Sequence, residues 1–352
     1  MRQGRLKAAP ESAVGYYHCV SRVVDRAFKL ADTEVKTVFV RMMREYERFC
    51  GVRVVTYCLM DNHFHILLEV PRRPEILPTD EELLDLVGGI HSMMERGRVR
   101  QLLEMFRETG AKDDAEELRE GYFRQMWDVS SFMKLLKQRF TQWFNHQHGR
   151  KGHLWENRFR SVLVEGAGES LAMMAAYIDL NSVRAGVVSD PKDYRWSGYA
   201  EAVAGKTSAR QGLAVVVRYL KGEKGRGSAM LAVYRCWLYG VGEETGQRTE
   251  GGPMKRGFNR EQIAEVLSNK GRLSSWELLR CRVRYFTDGA VIGSKAFVNR
   301  VFATNRERFG VKRKSGARRW QGIELESLYA LRELRIEPIA LPASRSDLSL
   351  IR

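Results

Sequence analysis

His63 and His65 stand two apart in the run HFHILLEV. Alternate side chains of a strand share a face, so both imidazoles point the same way. Side by side they can ligate one divalent metal, each through one ring nitrogen. The other reading is two partly buried histidines on a sheet face. Tyr177 and Asn181 stand four apart, one turn along a helix. The apolar stripe of that helix is Leu171, Met174, Ala175 and Ile178, which puts Tyr177 at its margin. A margin tyrosine ordinarily packs its ring and turns its hydroxyl to water.

Taken together, the two pairs define a chemistry. A phenol with an unperturbed pKa of about 10 is a poor nucleophile until its electrophile is polarised. A metal held by His63, His65 and the amide oxygen of Asn181 grips a phosphate oxygen and draws charge off phosphorus. Tyr177, one turn from Asn181, then faces that phosphorus. Attack forms a covalent phosphotyrosine and keeps the energy of the cut bond for rejoining. All of this needs one strand–helix contact.

The elements that must supply that contact are legible. Residues 16–22 (YYHCVSR) read as a strand. Residues 33–50 carry Val35, Val38, Phe39, Met42, Met43, Tyr46 and Phe49 at helical spacing, with Gly51 as the stop. Val52 to Leu59 is β-branched and aromatic, hence a strand. Met60-Asp61-Asn62 is a tight turn, and 63–70 is the next strand, ended by Pro71. The acidic stretch 79–120 reads as two inserted helices. Ser130 and Ser131 can cap a helix over 132–145. Residues 154–164 read as a fourth strand, and 169–181 as a helix ended by VRAG. Without the insert, the order is strand, helix, strand, strand, helix, strand. That predicts an α+β fold of ferredoxin-like type: a four-stranded antiparallel sheet with helices packed on one face.

Composition narrows the partner. The 352 residues hold 59 Lys and Arg against 43 Asp and Glu, a net charge of +16. Such a surplus favours a polyanion, nucleic acid first. With 44% apolar residues the chain can bury a core. No apolar run is long enough to cross a membrane, and no leader-like segment stands at the start, so a cytoplasmic, nucleoid-associated location without membrane contact is expected. Cys19, Cys50, Cys58, Cys236 and Cys281 are scattered and form no C-x-x-C pair, against a disulfide framework or a cysteine zinc site. The charge is uneven: residues 75–125 carry net −6 and residues 253–320 net +12.

Four segments resemble one known family. Met60-Asp61-Asn62-His63-Phe64-His65-Ile66-Leu67-Leu68 resembles the HUH motif, histidine–bulky apolar–histidine. Residues 145–161 (NHQHGRKGHLWENRFRS) resemble its basic, Gly-rich lead into a strand. Tyr177-Ile178-Asp179-Leu180-Asn181-Ser182-Val183-Arg184-Ala185-Gly186 resembles the tyrosine helix, and Tyr194-Arg195-Trp196-Ser197-Gly198-Tyr199 the segment that closes the domain. In this order they resemble the REP-associated tyrosine transposases, relatives of the insertion-sequence single-strand transposases, over about residues 12–205. The resemblance implies His63, His65 and Asn181 as metal ligands, Tyr177 as nucleophile, Mg²⁺ or Mn²⁺ as cofactor, and single-stranded DNA, often a hairpin, as substrate. Asp61, Asp179 and Ser182 depart from the family's usual proline, histidine and proline. Without a proline after Asn181 the helix can run on, which places Arg184 at i+7 from Tyr177 on the same side.

Other residues fit that substrate. Arg184 can hold a DNA phosphate or cap its own helix. Arg150, Lys151, Arg158 and Arg160 surround Trp155 and Phe159, a mixture suited to a flexible strand, although the two rings fit the core better than base stacking. His18, His146, His148 and His153 are expected in solvated or DNA-facing positions. Residues 206–252 read as a linker or extension, and 253–335 as a basic, helical DNA-binding domain. In that domain, helices are expected over 259–269, 275–285 and 295–306, the last opened by Ser294, with a helix-turn-helix as one arrangement. The run 312–319 (KRKSGARR) is expected to be a flexible phosphate-binding tail. The expected activity is a DNA transposase that nicks and rejoins single strands, acting as a monomer or homodimer. The alternatives are a non-catalytic DNA-binding regulator on the same fold and, lower, an RNA-binding protein.

Overall fold

The computed structural model describes residues 5–221, 229–240, 284–320 and 327–332. Strand β1 (Val14–Arg22) leads through a short turn into α1 (Thr33–Phe49). Asp32 caps α1, its carboxylate accepting from the Glu34 and Val35 amides, and Gly51, at φ +60°, turns the chain out of it. Strands β2 (Arg53–Leu59) and β3 (His63–Pro71) form the expected hairpin. The acidic insert then folds as α2 (Asp80–Gly88), α3 (Met93–Thr109) and α4 (Lys112–Phe123). Two helices were expected there and three are found. Gly89 and the left-handed Gly110 (φ +72°) divide the stretch. Helix α5 (Val129–Gln147) is capped by Asp128 rather than by the serines, whose backbone amides donate to its carboxylate.

Strand β4 (Arg160–Val164) is shorter than its sequence suggests. Trp155 leaves the expected strand to donate its indole N–H to the Lys137 carbonyl and pack against Phe39, Phe64 and Phe140. Helix α6 (Gly168–Asp179) breaks at Leu180 (ψ 2°), and a single further turn, α7 (Asn181–Arg184), follows. Next come α8 (Gly198–Val203), α9 (Thr207–Lys221), α10 (Ala229–Gly240), α11 (Arg284–Asp288), β5 (Val291–Gly293), α12 (Lys295–Thr304), β6 (Arg318–Arg319) and β7 (Tyr329–Ala330).

The sheet order is β2-β3-β1-β4-β5-β7-β6. The first four strands are mutually antiparallel, and β4 pairs with β5 in parallel. The fold is therefore α+β: the four expected strands pair antiparallel in the order β2-β3-β1-β4, and three short strands beyond β4 extend them into a mixed seven-stranded sheet. The extra strands are two or three residues long, too short to leave a period in the sequence. Helices also cover both faces rather than one. On one face lie α1 and α5, with Phe39, Met43, Phe132 and Phe140 buried against Phe64, Ile66 and Leu68 of β3. On the other lie α6 and α9, with Leu171, Met174, Leu213 and Val216 buried with Val55, Leu67 and Val162.

Helix α9 lies in the stretch read as linker or extension, yet it is buried on β2. A Cβ added at Gly212 would come within 2.4 Å of the Val54 carbonyl oxygen. The helix read over 259–269, and most of that over 275–285, lie outside the described residues. The helix opened by Ser294 is α12, and the serine hydroxyl accepts from the Phe297 amide. Strand β5 stands between α11 and α12, so the turn of a helix-turn-helix is not found there. Arg318 and Arg319 of the expected flexible tail form β6, and Arg313 donates to the Gly316 and Leu331 carbonyls. Cys19, Cys50 and Cys58 are buried free thiols.

Candidate active site

Strand β3 presents His63 and His65 on the face covered by α6, as their alternation requires. The two rings are 5.1 Å apart between centroids and nearly perpendicular. From α6, the Tyr177 ring comes to 6.0 Å from His65. Arg184, reached through the turn of α7, lays its guanidinium 4.1 Å over the Tyr177 ring. It also donates to the Tyr177 carbonyl at 2.7 Å and to Asn181 Oδ1 at 3.1 Å. The strand–helix contact demanded by the chemistry is thus present, and Arg184 lies beside Tyr177 although α6 breaks at Leu180.

Two features of the site depart from expectation, and a third carries no signal in the sequence. Tyr177 is not at a margin: α6 is buried all round, and the residue is only 2% exposed. Phe286 of α11 stacks on its ring at 4.5 Å, with Trp320 edge-on behind at 5.2 Å. His18 is not solvated. It is fully buried, its ring 5.0 Å from that of His65 and 6.1 Å from that of Tyr177. Finally, Asp179 is buried and accepts hydrogen bonds from Thr56 and Tyr234, which fasten α6 to β2 and α10. Burial pushes its carboxyl up to about 7.

The hydrogen bonds fix the imidazole tautomers. Burial pushes His18 down to about 4, against the smaller upward pull of the Phe286 carbonyl, so the ring is neutral at neutral pH. Its Nδ1 lies 2.8 Å from the Phe286 carbonyl oxygen, which can only accept, so Nδ1 carries the proton. His18 Nε2 is then an acceptor, and the His65 Nδ1 lying 2.8 Å away must donate to it. At His63, Nδ1 lies 2.7 Å from Asn62 Oδ1, whose identity follows because Asn62 Nδ2 donates to the Arg26 carbonyl. In the neutral form of each of these β3 histidines the lone pair therefore sits on Nε2.

That donor set fits a divalent cation. Both imidazoles donate from Nδ1 to an oriented partner, the arrangement metal-binding histidines ordinarily have. The Asn181 carbonyl oxygen has two acceptor lone pairs, of which Arg184 uses one, and its buried Nδ2 has no hydrogen-bond partner among the described residues. No cluster of three His, Cys, Asp or Glu suited to a metal occurs among the described residues.

Residues 12–79 match the family model described as transposase, IS200 like. The matched span runs from the start of β1 past the end of β3 and carries His18, His63 and His65. Over those residues the family resemblance read from the sequence is borne out. Among solved structures, one described as the REP-associated tyrosine transposase bound to a REP hairpin is similar. It is 15% identical, with 58% of this chain and 85% of that chain covered and a TM-score of 0.36. No curated protein matches the chain.

Lys151 and Arg158 are exposed, and Arg160 pairs with Asp288 at 2.7 Å. Arg150 lies over the Phe144 ring. Phe159 is buried and Trp155 half-buried, both with the core. His146, His148 and His153 are exposed, as expected. Among the described residues no helix is long and apolar enough to cross a membrane.

Proposed function

We propose that the chain is a DNA transposase that cuts and rejoins single-stranded DNA through Tyr177. The Tyr177 hydroxyl attacks a backbone phosphorus. The P–O bond to the departing 3′-oxygen breaks, and the phenolic proton ends on that oxygen. A 5′-phosphotyrosine and a 3′-hydroxyl result, and attack by an acceptor 3′-hydroxyl reverses the step. One ester is exchanged for another, consistent with the lack of a Walker A loop in the sequence. His63, His65 and Asn181 would hold Mg²⁺ or Mn²⁺, which polarises the phosphate. Arg184 keeps the Tyr177 ring in place and supplies positive charge beside the attacked group. Arg150, Lys151, Arg158 and Arg160 would meet the strand's phosphates, and the substrate is a hairpin-bearing single strand.

What supports this reading above all is the meeting of Tyr177 with His65 at 6.0 Å from segments more than a hundred residues apart, in a chain whose N-terminal part matches the IS200-like transposases. One observation favours the alternative of a non-catalytic DNA-binding regulator: the 2% exposure of Tyr177 beneath Phe286. For catalysis that cover must lift when DNA enters. Incubation with labelled single-stranded hairpin DNA and Mn²⁺ decides between them. The expected product is a covalent protein–DNA adduct mapping to Tyr177. Tyr177→Phe should abolish the adduct and retain DNA binding. A wild-type chain that binds DNA without ever forming an adduct is a regulator.

A further inference from the structure

The chemistry above gives His18 no role, yet it is a fully buried ionisable group at the site. It lies on β1, paired in register with Leu67 on one side and Val162 on the other, at the middle of the sheet. A buried imidazole there is costly unless both ring nitrogens are satisfied. Both are, at 2.8 Å: one by the Phe286 carbonyl and one by His65. A simple packing role would need neither partner, since Phe or Leu would fill the same space.

The two bonds have a direction. A backbone carbonyl cannot donate, so the proton order runs one way along the chain of groups: His18 Nδ1–H to Phe286 O, then His65 Nδ1–H to His18 Nε2. An imidazole in water favours the other tautomer, with the proton on Nε2, by only a small margin, so one good hydrogen bond decides the form. The geometry points to His18 as a positioning residue: it holds His65 in the Nδ1–H tautomer and in a fixed ring orientation, so that the lone pair of Nε2 is presented to a divalent cation. The anchor of this relay is a main-chain carbonyl of α11, so the C-terminal segment that covers Tyr177 also sets the protonation of the proposed ligand. This inference rests on the metal reading above for its purpose, though the relay itself stands on the hydrogen bonds.

The test uses the full chain, labelled with ¹⁵N-histidine and free of metal. Ring-nitrogen chemical shifts of His65 should report a protonated Nδ1 and a bare Nε2. His18→Phe keeps the ring's bulk and removes both bonds. It should shift His65 toward the Nε2–H form and weaken Mn²⁺ binding, followed by electron paramagnetic resonance, by about 10–100-fold. His18→Gln retains one donor and one acceptor and should recover most of that affinity. The inference is overturned if wild-type His65 carries its proton on Nε2, a result that needs no variant to fold. It is equally overturned if His18→Phe leaves both tautomer and affinity unchanged. A wild-type chain with the expected tautomer but no Mn²⁺ binding would remove the metal reading and leave the relay standing. Mn²⁺ binding with the opposite tautomer would do the reverse.

Discussion

On β3, successive residues face two different interiors. Phe64, Ile66 and Leu68 enter the layer under α1 and α5, whereas His63, His65 and Leu67 enter the layer under α6. The first interior is a wall of rings: Phe39 lies 4.9 Å from Phe64 and 5.0 Å from Phe140, and Trp155 lies 5.3 Å from Phe64. The second contains hydrogen-bonded polar groups: His18 with His65, and the Asp179 carboxyl with the Thr56 and Tyr234 hydroxyls. Apolar contacts are tolerant of direction, so the first face needs only volume and shape. Polar groups under a helix must be paired one by one, which fixes orientation and proton position. The sheet thus separates the part that holds the fold from the part suited to chemistry, across the thickness of a single strand.

The largest expected effect tests the ring-lined face. Phe64 is fully buried between Phe39 and Trp155. Truncation by Phe64→Ala removes that packing and leaves a cavity, so stability should fall by about 3–5 kcal/mol in urea unfolding. The neighbouring His65 tautomer, read in the folded fraction, should stay as it is. A loss below about 1 kcal/mol would mean that the face is not the structural one, and the contrast between the two interiors would fail.

A smaller effect tests how closely the second face is assembled. Helix α9 lies on β2 with no side chain between them at Gly212, where a Cβ would meet the carbonyl oxygens of Val54 and Val55 at 2.4 and 2.5 Å. Neither backbone oxygen can turn aside. Gly212→Ala should push the helix outward and cost about 1–3 kcal/mol, despite alanine's better helix propensity. A gain in thermal stability would show that α9 has room to spare and that this interior tolerates adjustment as the other does.

Much of the first interior was legible in the sequence, and less of the second. The 3.6 period of Val35, Val38, Phe39, Met42 and Tyr46 located α1, and β-branched alternation located β2 and β3. The His pair and the Tyr177–Asn181 spacing identified the residues that meet. What the pattern could not carry was long-range pairing. Phe286 reaches Tyr177 across more than a hundred residues from a five-residue helix, and His18 in a run of apolar neighbours gives no sign of which carbonyl will receive its proton. Helix α9 shows an apolar face in sequence, but the glycine-rich residues beyond it give the whole stretch the composition of a linker. Its Gly212 is the close-approach signal that would have placed it on the sheet.

The smallest effect concerns the surface, where neither interior is involved. Arg158 is exposed, and its neighbour Phe159 is held inward by Arg5, whose guanidinium lies 3.4 Å over that ring and donates to the Phe159 carbonyl at 2.9 Å. The backbone at this point is therefore set by Arg5 and not by Arg158. Arg158→Ala should leave stability within about 0.5 kcal/mol. If the residue meets one phosphate of a bound single strand, affinity should drop modestly, and the slope of log K against log salt should flatten by about 0.7. Arg160 offers the internal control, because its guanidinium already pairs with Asp288 at 2.7 Å. A charge engaged within the protein releases fewer counterions on binding DNA, so Arg160→Ala should change the slope less than Arg158→Ala does. Equal slopes for wild type and Arg158→Ala would place the strand's path elsewhere, while leaving the buried pair of imidazoles and the phenol beneath α6 untouched.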